Sequence, residues 1–567
     1  MEKENTEKSN GKSKLKIFVI GGIIVGIGSY LAYKYFKKSN IDSIPIIKEL
    51  EKEAQIEFIE NLNKQMNDEK LNETDQFEIF EAVFNQIPTL KNEASILDKF
   101  LDFSLISLKF KKNVNYMLQN DNIEILIKTL KTLSEQEKKE ISTIKKNIEI
   151  FQNLTKLKKN TEIIEKFIEF KGTEILSNLI EDDNKELQFA SIQCISWMAE
   201  YNPRIIHEIS TKSFLKRLLN LIQVDDIEFQ SWVCSLLNDC IMQNKYTIED
   251  ITEDTVRILV SLTQNKDIKA KCDSLLVLSS LSLINEDFSV RLCKNENLLS
   301  VVEKHFLANN DGSPEAQKLV FSGASFIYAV AMASDENKIL IRDSQVIPLL
   351  LENLDKTKSK VYREVIHATK ACTISSRNTK NVDIMIELGM LEKILSRIDE
   401  FTDPDVLADA AVIIGNCAYA DENYREKIRE VGGLDLLLQF IRSEQEKVKS
   451  NAICALSNCA MNEQNQKQIK KTDSLSIVVE LLESQNVFVL IGAVITIRNI
   501  ARFSGEKPSQ FWMSTVDDLV NLGVVPKLLA LLNSEDQSLQ QIVSETLIYL
   551  SNHPRVDQEI RNIAQYK

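Results

Sequence analysis

The sequence predicts an all-α chain built as a solenoid of about ten three-helix repeats. Three observations carry that prediction. First, one phrase occurs twice: Gly415-Asn416-Cys417-Ala418 and Ser457-Asn458-Cys459-Ala460 stand 42 residues apart, each followed by a polar turn (Asp421-Glu422-Asn423, then Asn462-Glu463-Gln464-Asn465). A helical period of that length is the signature of a stacked array. Second, the period can be walked in both directions from Asn458, giving equivalent positions at Asn153, Trp197, Asp239, Ser280, Ala329, Ala371, Asn416, Asn499 and Tyr549. Third, only 15 Gly and 9 Pro interrupt 567 residues, and no long stretch alternates with strand period.

The columns of this alignment have the chemistry of a packed core. One residue after the anchor stand Leu154, Met198, Cys240, Leu281, Val330, Cys372, Cys417, Cys459, Ile500 and Leu550. Two after it the residues are mostly small, among them Ala199, Ser282, Ala331, Ala418, Ala460 and Ala501, which lets neighbouring third helices approach closely. Two repeats are long, and each carries a turn-rich insertion: Asn309–Pro314 in one, Ser504–Pro508 in the other. Gly172, Gly389, Gly432-Gly433 and Gly523 precede apolar helices, where a glycine ends the preceding short helix in a left-handed conformation.

On these residues the chain resembles the armadillo repeat proteins, most clearly over residues 370–505 and more loosely from about 160 to 567. The resemblance implies a right-handed superhelix of three-helix repeats whose third helices line a concave groove. The period alone leaves the related HEAT repeats as an alternative.

In chain order, residues 1–16 form a polar tail. Residues 17–36 are expected to be a transmembrane signal anchor: Ile17–Tyr33 holds no charge, Lys12, Lys14 and Lys16 precede it, and Lys34, Lys37 and Lys38 follow. Seventeen helical residues span roughly 25 Å, at the short end of a membrane span, and Tyr30, Tyr33 and Tyr35 suit the interface. A cleaved signal peptide is the competitor, but no small-x-small site follows. Residues 39–100 are charged and helical and read as a stalk or as degenerate capping repeats. Residues 101–567 are assigned to the repeat domain.

Nine Cys and a net charge of −14 bound the chemistry. Cys240, Cys372, Cys417 and Cys459 share one core column, so they read as small apolar fillers in a reducing compartment. No C-x-x-C pair or zinc spacing occurs. The acidic balance argues against a nucleic-acid partner. His207, His305, His367 and His553 are scattered over different repeats, and neither a phosphate-binding loop nor a nucleophile motif is present. The expectation is a non-enzyme with no metal and no cofactor.

Asn416, Asn458 and Asn499 occupy the anchor column of three successive repeats. An Asn amide offers donor and acceptor, so a ladder of them can hold the backbone of an extended partner; the alternative is an amide spent on the neighbouring repeat. In the family such a ladder clamps bound peptides. The nuclear-import adaptors add a Trp one turn before each Asn, whereas this chain has Val412, Cys454 and Ile495 there, which argues against basic localisation peptides. Arg498 and Arg502 sit four apart beside Asn499 and form a candidate basic spot, with Arg363 and Lys370 as an extension; pairing to acidic residues of the next repeat is the other reading.

The layout is similar to that of the anchored armadillo proteins of the mitochondrial outer membrane. It implies a scaffold with its repeat domain in the cytosol that recruits cytosolic proteins such as motor adaptors or small GTPases to an organelle surface. An endomembrane is the alternative site. Residues 405–505 equally resemble the armadillo proteins that stimulate GDP dissociation from small GTPases, which gives a second, regulatory reading. A membrane-contact tether is a third.

Overall fold

A computed structural model describes residues 94–108, 111–118, 122–158, 161–244, 251–308, 310–374, 380–502 and 508–565, with eight positions between 56 and 87. The expected anchor at 17–36 and its flanking tail lie outside the described residues, as do most of the 39–100 segment and all of the Ser504–Pro508 insertion but Pro508. The described residues are helices and turns without strands. They divide into two compact units, one reaching Thr255 and one beginning at Val256.

In the first unit, Ile141–Lys158, Lys185–Tyr201 and Ile227–Asn244 are third helices and contain the anchors Asn153, Trp197 and Asp239. Each packs on the next. Ala94–Ser107 packs on Ile141–Lys158 in the same manner, so the expected boundary at residue 100 falls inside a helix of the stack. Lys146 joins the two by reaching Asp98 at 2.7 Å and Asp102 at 2.8 Å.

The second unit contributes seven third helices: α1 Ile268–Ile284, α2 Pro314–Ala333, α3 Ser359–Thr373, α4 Pro404–Ala420, α5 Glu446–Cys459, α6 Val487–Ala501 and α7 Gln537–Leu550. Each packs on its successor to form one continuous layer. The starts are chemically marked. Asp267, Ser313, Asp403, Asn486 and Asp536 accept from a backbone N–H in the first turn of α1, α2, α4, α6 and α7, which satisfies an otherwise orphaned donor. The ends are marked as well. Asp421 closes α4 in an extended conformation and caps the next helix, Glu422–Glu430, with the same side chain. Asn285 and Ser334 do this after α1 and α2.

Among the described residues α2 alone is long and apolar enough to cross a membrane, but more than half of its apolar window is buried against its neighbours. Its composition is that of a core helix. The preceding insertion is tied down: Asn310 donates to Asn353 at 2.7 Å and accepts from Gln317 at 2.9 Å.

The core columns are where the repeat alignment puts them. Cys240, Cys372, Cys417 and Cys459 are buried and unpaired. Burial pushes the thiols of Cys240, Cys372 and Cys459 up to about 12. Helix spacing is set by small groups at the seams. A Cβ on Gly415 would stand 3.0 Å from the Cα of Ala455, and one on Gly492 would stand 2.8 Å from Ile453 and 3.2 Å from the Cys454 nitrogen.

The glycine column splits into two roles. Gly389, Gly432 and Gly523 are the left-handed residues before their helices, at φ 77°, 88° and 76°. In the repeat anchored at Trp197, Lys171 takes that conformation, at φ 61°. Gly172 is required for a different reason, since a Cβ there would lie 2.6 Å from the Phe167 ring.

Candidate protein-binding face

On α4, α5 and α6 the anchor residues are half-buried, whereas Ser280, Ala329 and Ala371 of α1 to α3 are buried, and the close approach of neighbouring third helices decides what the ladder side chains reach. Asn416 Nδ2 donates to Thr373 Oγ1 at 3.0 Å, Asn458 Nδ2 to the Gly415 carbonyl at 3.0 Å and Asn499 Nδ2 to the Ser457 carbonyl at 2.7 Å. Each bond crosses to the preceding repeat. The three amides therefore share one arrangement, half-buried, with one N–H spent on the fold. None of the three Oδ1 atoms accepts a hydrogen bond among the described residues, which leaves an acceptor and a second N–H on each.

The groups around the ladder differ along the layer. From α4 to α7 they are apolar: Cys454, Phe488 and Ile548 are exposed, and Val412, Ile491 and Ile495 are half-buried. Cys454 lies against α6, with its Sγ 3.9 Å from the Phe488 carbonyl. It is the exposed one of the nine cysteines.

The expected basic spot is mostly consumed within the fold. Arg498 Nη1 meets Glu545 Oε2 of α7 at 3.0 Å, while Arg502 is exposed at the end of α6. Arg363 lies 3.7 Å from Asp403 and 3.6 Å from Asp405 of α4. Lys370 Nζ reaches Asp409 Oδ1 at 2.7 Å, and His367 Nε2 stands 2.8 Å from Asp409 Oδ2. Arg363 and Lys370 thus form a separate, internally neutralised group on α3 and do not extend the Arg498–Arg502 spot. Lys447 pairs with Asp405 at 2.5 Å and holds its carboxyl below the ordinary carboxylate range. Asp409 itself is 2 % exposed, an arrangement that requires the Lys370 ammonium beside it.

A second set of asparagines escapes notice in the sequence because it hides in the polar turns. Asn337 donates to the Val330 carbonyl at 3.0 Å and to Ser289 of the preceding repeat at 2.8 Å. Asn381 reaches the Lys338 carbonyl at 3.1 Å, and Asn465 reaches the carbonyls of Cys459 at 3.0 Å and Arg425 at 3.1 Å. All three are buried. Each closes the turn after a third helix and ties it to the repeat before. The available signal was an Asn recurring seven to ten residues after the anchor, inside segments that otherwise read as solvated turns.

Residues 386–565 match the family described as Armadillo-like. The chain is 26 % identical over 197 residues to the Armadillo segment polarity protein of Drosophila melanogaster, an alignment covering 33 % of this chain and 22 % of that protein. It is 26 % identical over 148 residues to Armadillo repeat-containing protein 3 of Homo sapiens, covering 26 % and 16 %. It therefore spans about a fifth of the length of these relatives. Among solved structures, an engineered protein of the Northeast Structural Genomics Consortium superposes with a TM-score of 0.56 at 21 % identity, over 76 % of this chain and 99 % of that one. That likeness concerns the fold.

Proposed function

We propose that this chain, an armadillo-repeat protein, is a scaffold that captures an extended segment of a partner protein on the third helices α4–α7. The observation that carries the reading is the ladder. Asn416, Asn458 and Asn499 each keep an unspent amide acceptor and one N–H beside an open apolar surface of Cys454, Phe488 and Ile548. An amide that can both donate and accept suits a peptide backbone, and the apolar surface suits its side chains. Arg498 and Arg502 serve an acidic element at the C-terminal end, Arg502 as the open cation and Arg498 by exchanging its Glu545 partner.

The scaffold is held at a membrane by residues 17–36 with its repeats in the cytosol, on the mitochondrial outer membrane before an endomembrane. The uncharged Ile17–Tyr33 run between lysines supports this. Its partners are then cytosolic proteins, with motor adaptors and small GTPases as the first classes to test.

The experiment compares the full chain with the Asn416→Ala, Asn458→Ala, Asn499→Ala variant for partner capture, with helix content measured alongside. Lost capture with unchanged helix content supports the ladder as the binding surface, and unchanged capture rejects it. Removing residues 1–38 should disperse the protein through the cytosol; retention on an organelle would reject the anchor. The regulatory reading rests on the similarity of residues 405–505 to the GDP-dissociation stimulators. It predicts faster nucleotide release from a loaded small GTPase, whereas the scaffold predicts binding without exchange.

A further inference from the structure

The last exposed residue of successive third helices repeats in kind as well as in position. Three residues after the anchor stand Leu283, Met332, Ile374, Tyr419 and Met461, on or just after α1 to α5. Leu283 is 41 % exposed, Met332 42 %, Tyr419 71 % and Met461 46 %, and Ile374 is half-buried. Solvent-exposed single apolar residues are ordinary, but four exposed and one half-buried in the same register of five successive third helices make an apolar row. Leu283, Met332 and Ile374 belong to helices without a ladder Asn, while Tyr419 and Met461 stand three residues beyond Asn416 and Asn458, next to the ladder on α4 and α5.

The residues that follow this apolar row are acidic after α1, α2, α4 and α5, while the helix after α3 begins with Lys380. The turn after each third helix leads into the first turn of the next helix, where Glu286, Asp287, Asp335, Glu336, Asp421, Glu422 and Glu463 are all exposed. Each has a local reason to be there, since carboxylates favour helix N-termini. Some are paired, Glu336 with Lys294 and Asp335 with Lys338 at 2.8 Å. Glu463 is paired as well, with Lys467 at 2.8 Å, and Glu286 accepts from Ser334, while Asp287, Asp421 and Glu422 stay exposed in the acidic row.

The spacing selects the shape of what can lie there. Packed helices stand about 8–10 Å apart, so the apolar groups recur at that interval. An extended strand turns alternate side chains away and matches poorly. An α-helix rises about 10.5 Å over seven residues and returns the same face. We infer that this edge of the second unit docks a basic amphipathic helix of a partner protein, with apolar residues at heptad spacing on Leu283–Met461 and Lys or Arg facing the acidic row. The site goes beyond the ladder and does not depend on it.

The test uses the full chain and a labelled synthetic helix of about three heptads, with Leu once per heptad and Lys flanking it. A second peptide replaces every Lys with Glu. Anisotropy titrations should show the Lys peptide binding at least about tenfold more tightly than the Glu peptide, with affinity falling as salt rises. The Tyr419→Gln, Met461→Gln chain should lose at least about tenfold, and so should Leu283→Gln, Met332→Gln as an independent pair, with circular dichroism and thermal midpoint unchanged for both. The ladder variant with three Asn→Ala changes should bind the peptide as the unaltered chain does.

Equal affinity for the two peptides, or undiminished binding to both Gln pairs, overturns the inference. Loss of the peptide in the ladder variant overturns it too, by moving the peptide onto the ladder. Two further results would assign the edge to another occupant and equally overturn it: self-association that the Gln pairs disperse, or peptide binding that appears only after residues 1–38 are removed.

Discussion

The seam between α3 and α4 and the seam between α5 and α6 join equivalent helices of neighbouring repeats, but different chemistry closes them. At the first, charge does the work. Asp409 is buried between Lys370 and His367, and Arg363 faces Asp403 and Asp405. At the second, absence of bulk does it. Gly492 lets α6 rest on Ile453 and Cys454, and Asn499 crosses to the Ser457 carbonyl. The two also differ in what they leave for a partner. The charged seam spends its groups on itself. The close-packed seam leaves Cys454 and Phe488 in solvent beside half-used amides. An array can therefore be equally well stacked along its length while only part of its face is open to binding.

The largest expected effect separates two cysteines of one helix. Cys459→Asp places an unpaired carboxylate at a fully buried position and should cost several kcal/mol, about 3–5. Cys454→Asp on the open face should leave the thermal midpoint within about a degree and impair only partner capture. Similar losses of stability for both would erase the distinction between core column and open face.

Next in size is the charged seam. Lys370→Met leaves Asp409 buried with His367 as its remaining neighbour and should cost about 2–4 kcal/mol, read from chemical denaturation. The long array need not unfold in two states, so hydrogen exchange along α3 and α4 is the sharper reading. A variant as stable as the parent would mean that the seam does not depend on this cation.

Gly492→Ala should cost about 1–3 kcal/mol, because its methyl meets Ile453 and the Cys454 backbone. The same change at Gly432 acts through backbone conformation, at φ 88°, and not through contact, since nothing lies near its Cβ. A cost at Gly492 no greater than that of Ala at an exposed helical site would show the α5–α6 approach to be looser than described.

The smallest effect is with pH. Pairing with Lys447 lowers the Asp405 carboxyl below its ordinary value. Stability from that pairing is then fully present above the ordinary Asp value, about 3.9, and is lost as pH falls through the lower folded value. Acid should therefore raise hydrogen exchange first at the N-terminal ends of α3 to α5, while the Asn499–Ser457 contact, which carries no charge, holds. Uniform acceleration across both seams would contradict the assignment.

The repeat period was legible because it is written in the core: all ten anchors fall in helices, and the Cys column is buried. What was not legible concerns direction and pairing. A periodic Asn says that an amide lies on the layer, but whether its N–H turns to the preceding helix depends on how close that helix comes, which Gly415 sets for Asn458 from the repeat before and Gly492 sets for Asn499 from its own helix. Arg363 and Lys370 read as a surface patch because Asp403, Asp405 and Asp409 lie about forty residues away in sequence. Asn337, Asn381 and Asn465 read as turn residues because polar type suggests exposure, and burial of an amide whose Nδ2 is spent on carbonyl and hydroxyl acceptors of the fold breaks that habit, although its Oδ1 is left without a partner among the described residues. Lys171 shows the limit of reading by residue type, since it holds the conformation that glycine holds elsewhere.

The central claim is that the α4–α6 ladder face is where this protein holds its partners, and Cys454 allows it to be tested in place. A photo-crosslinker attached to Cys454 of the full chain, the exposed one of its nine cysteines, should give discrete adducts that disappear when Asn416, Asn458 and Asn499 are changed to Ala. Adducts that persist unchanged in that variant, or a probe on Cys454 that labels nothing while partners still bind, would place the binding surface elsewhere on the array.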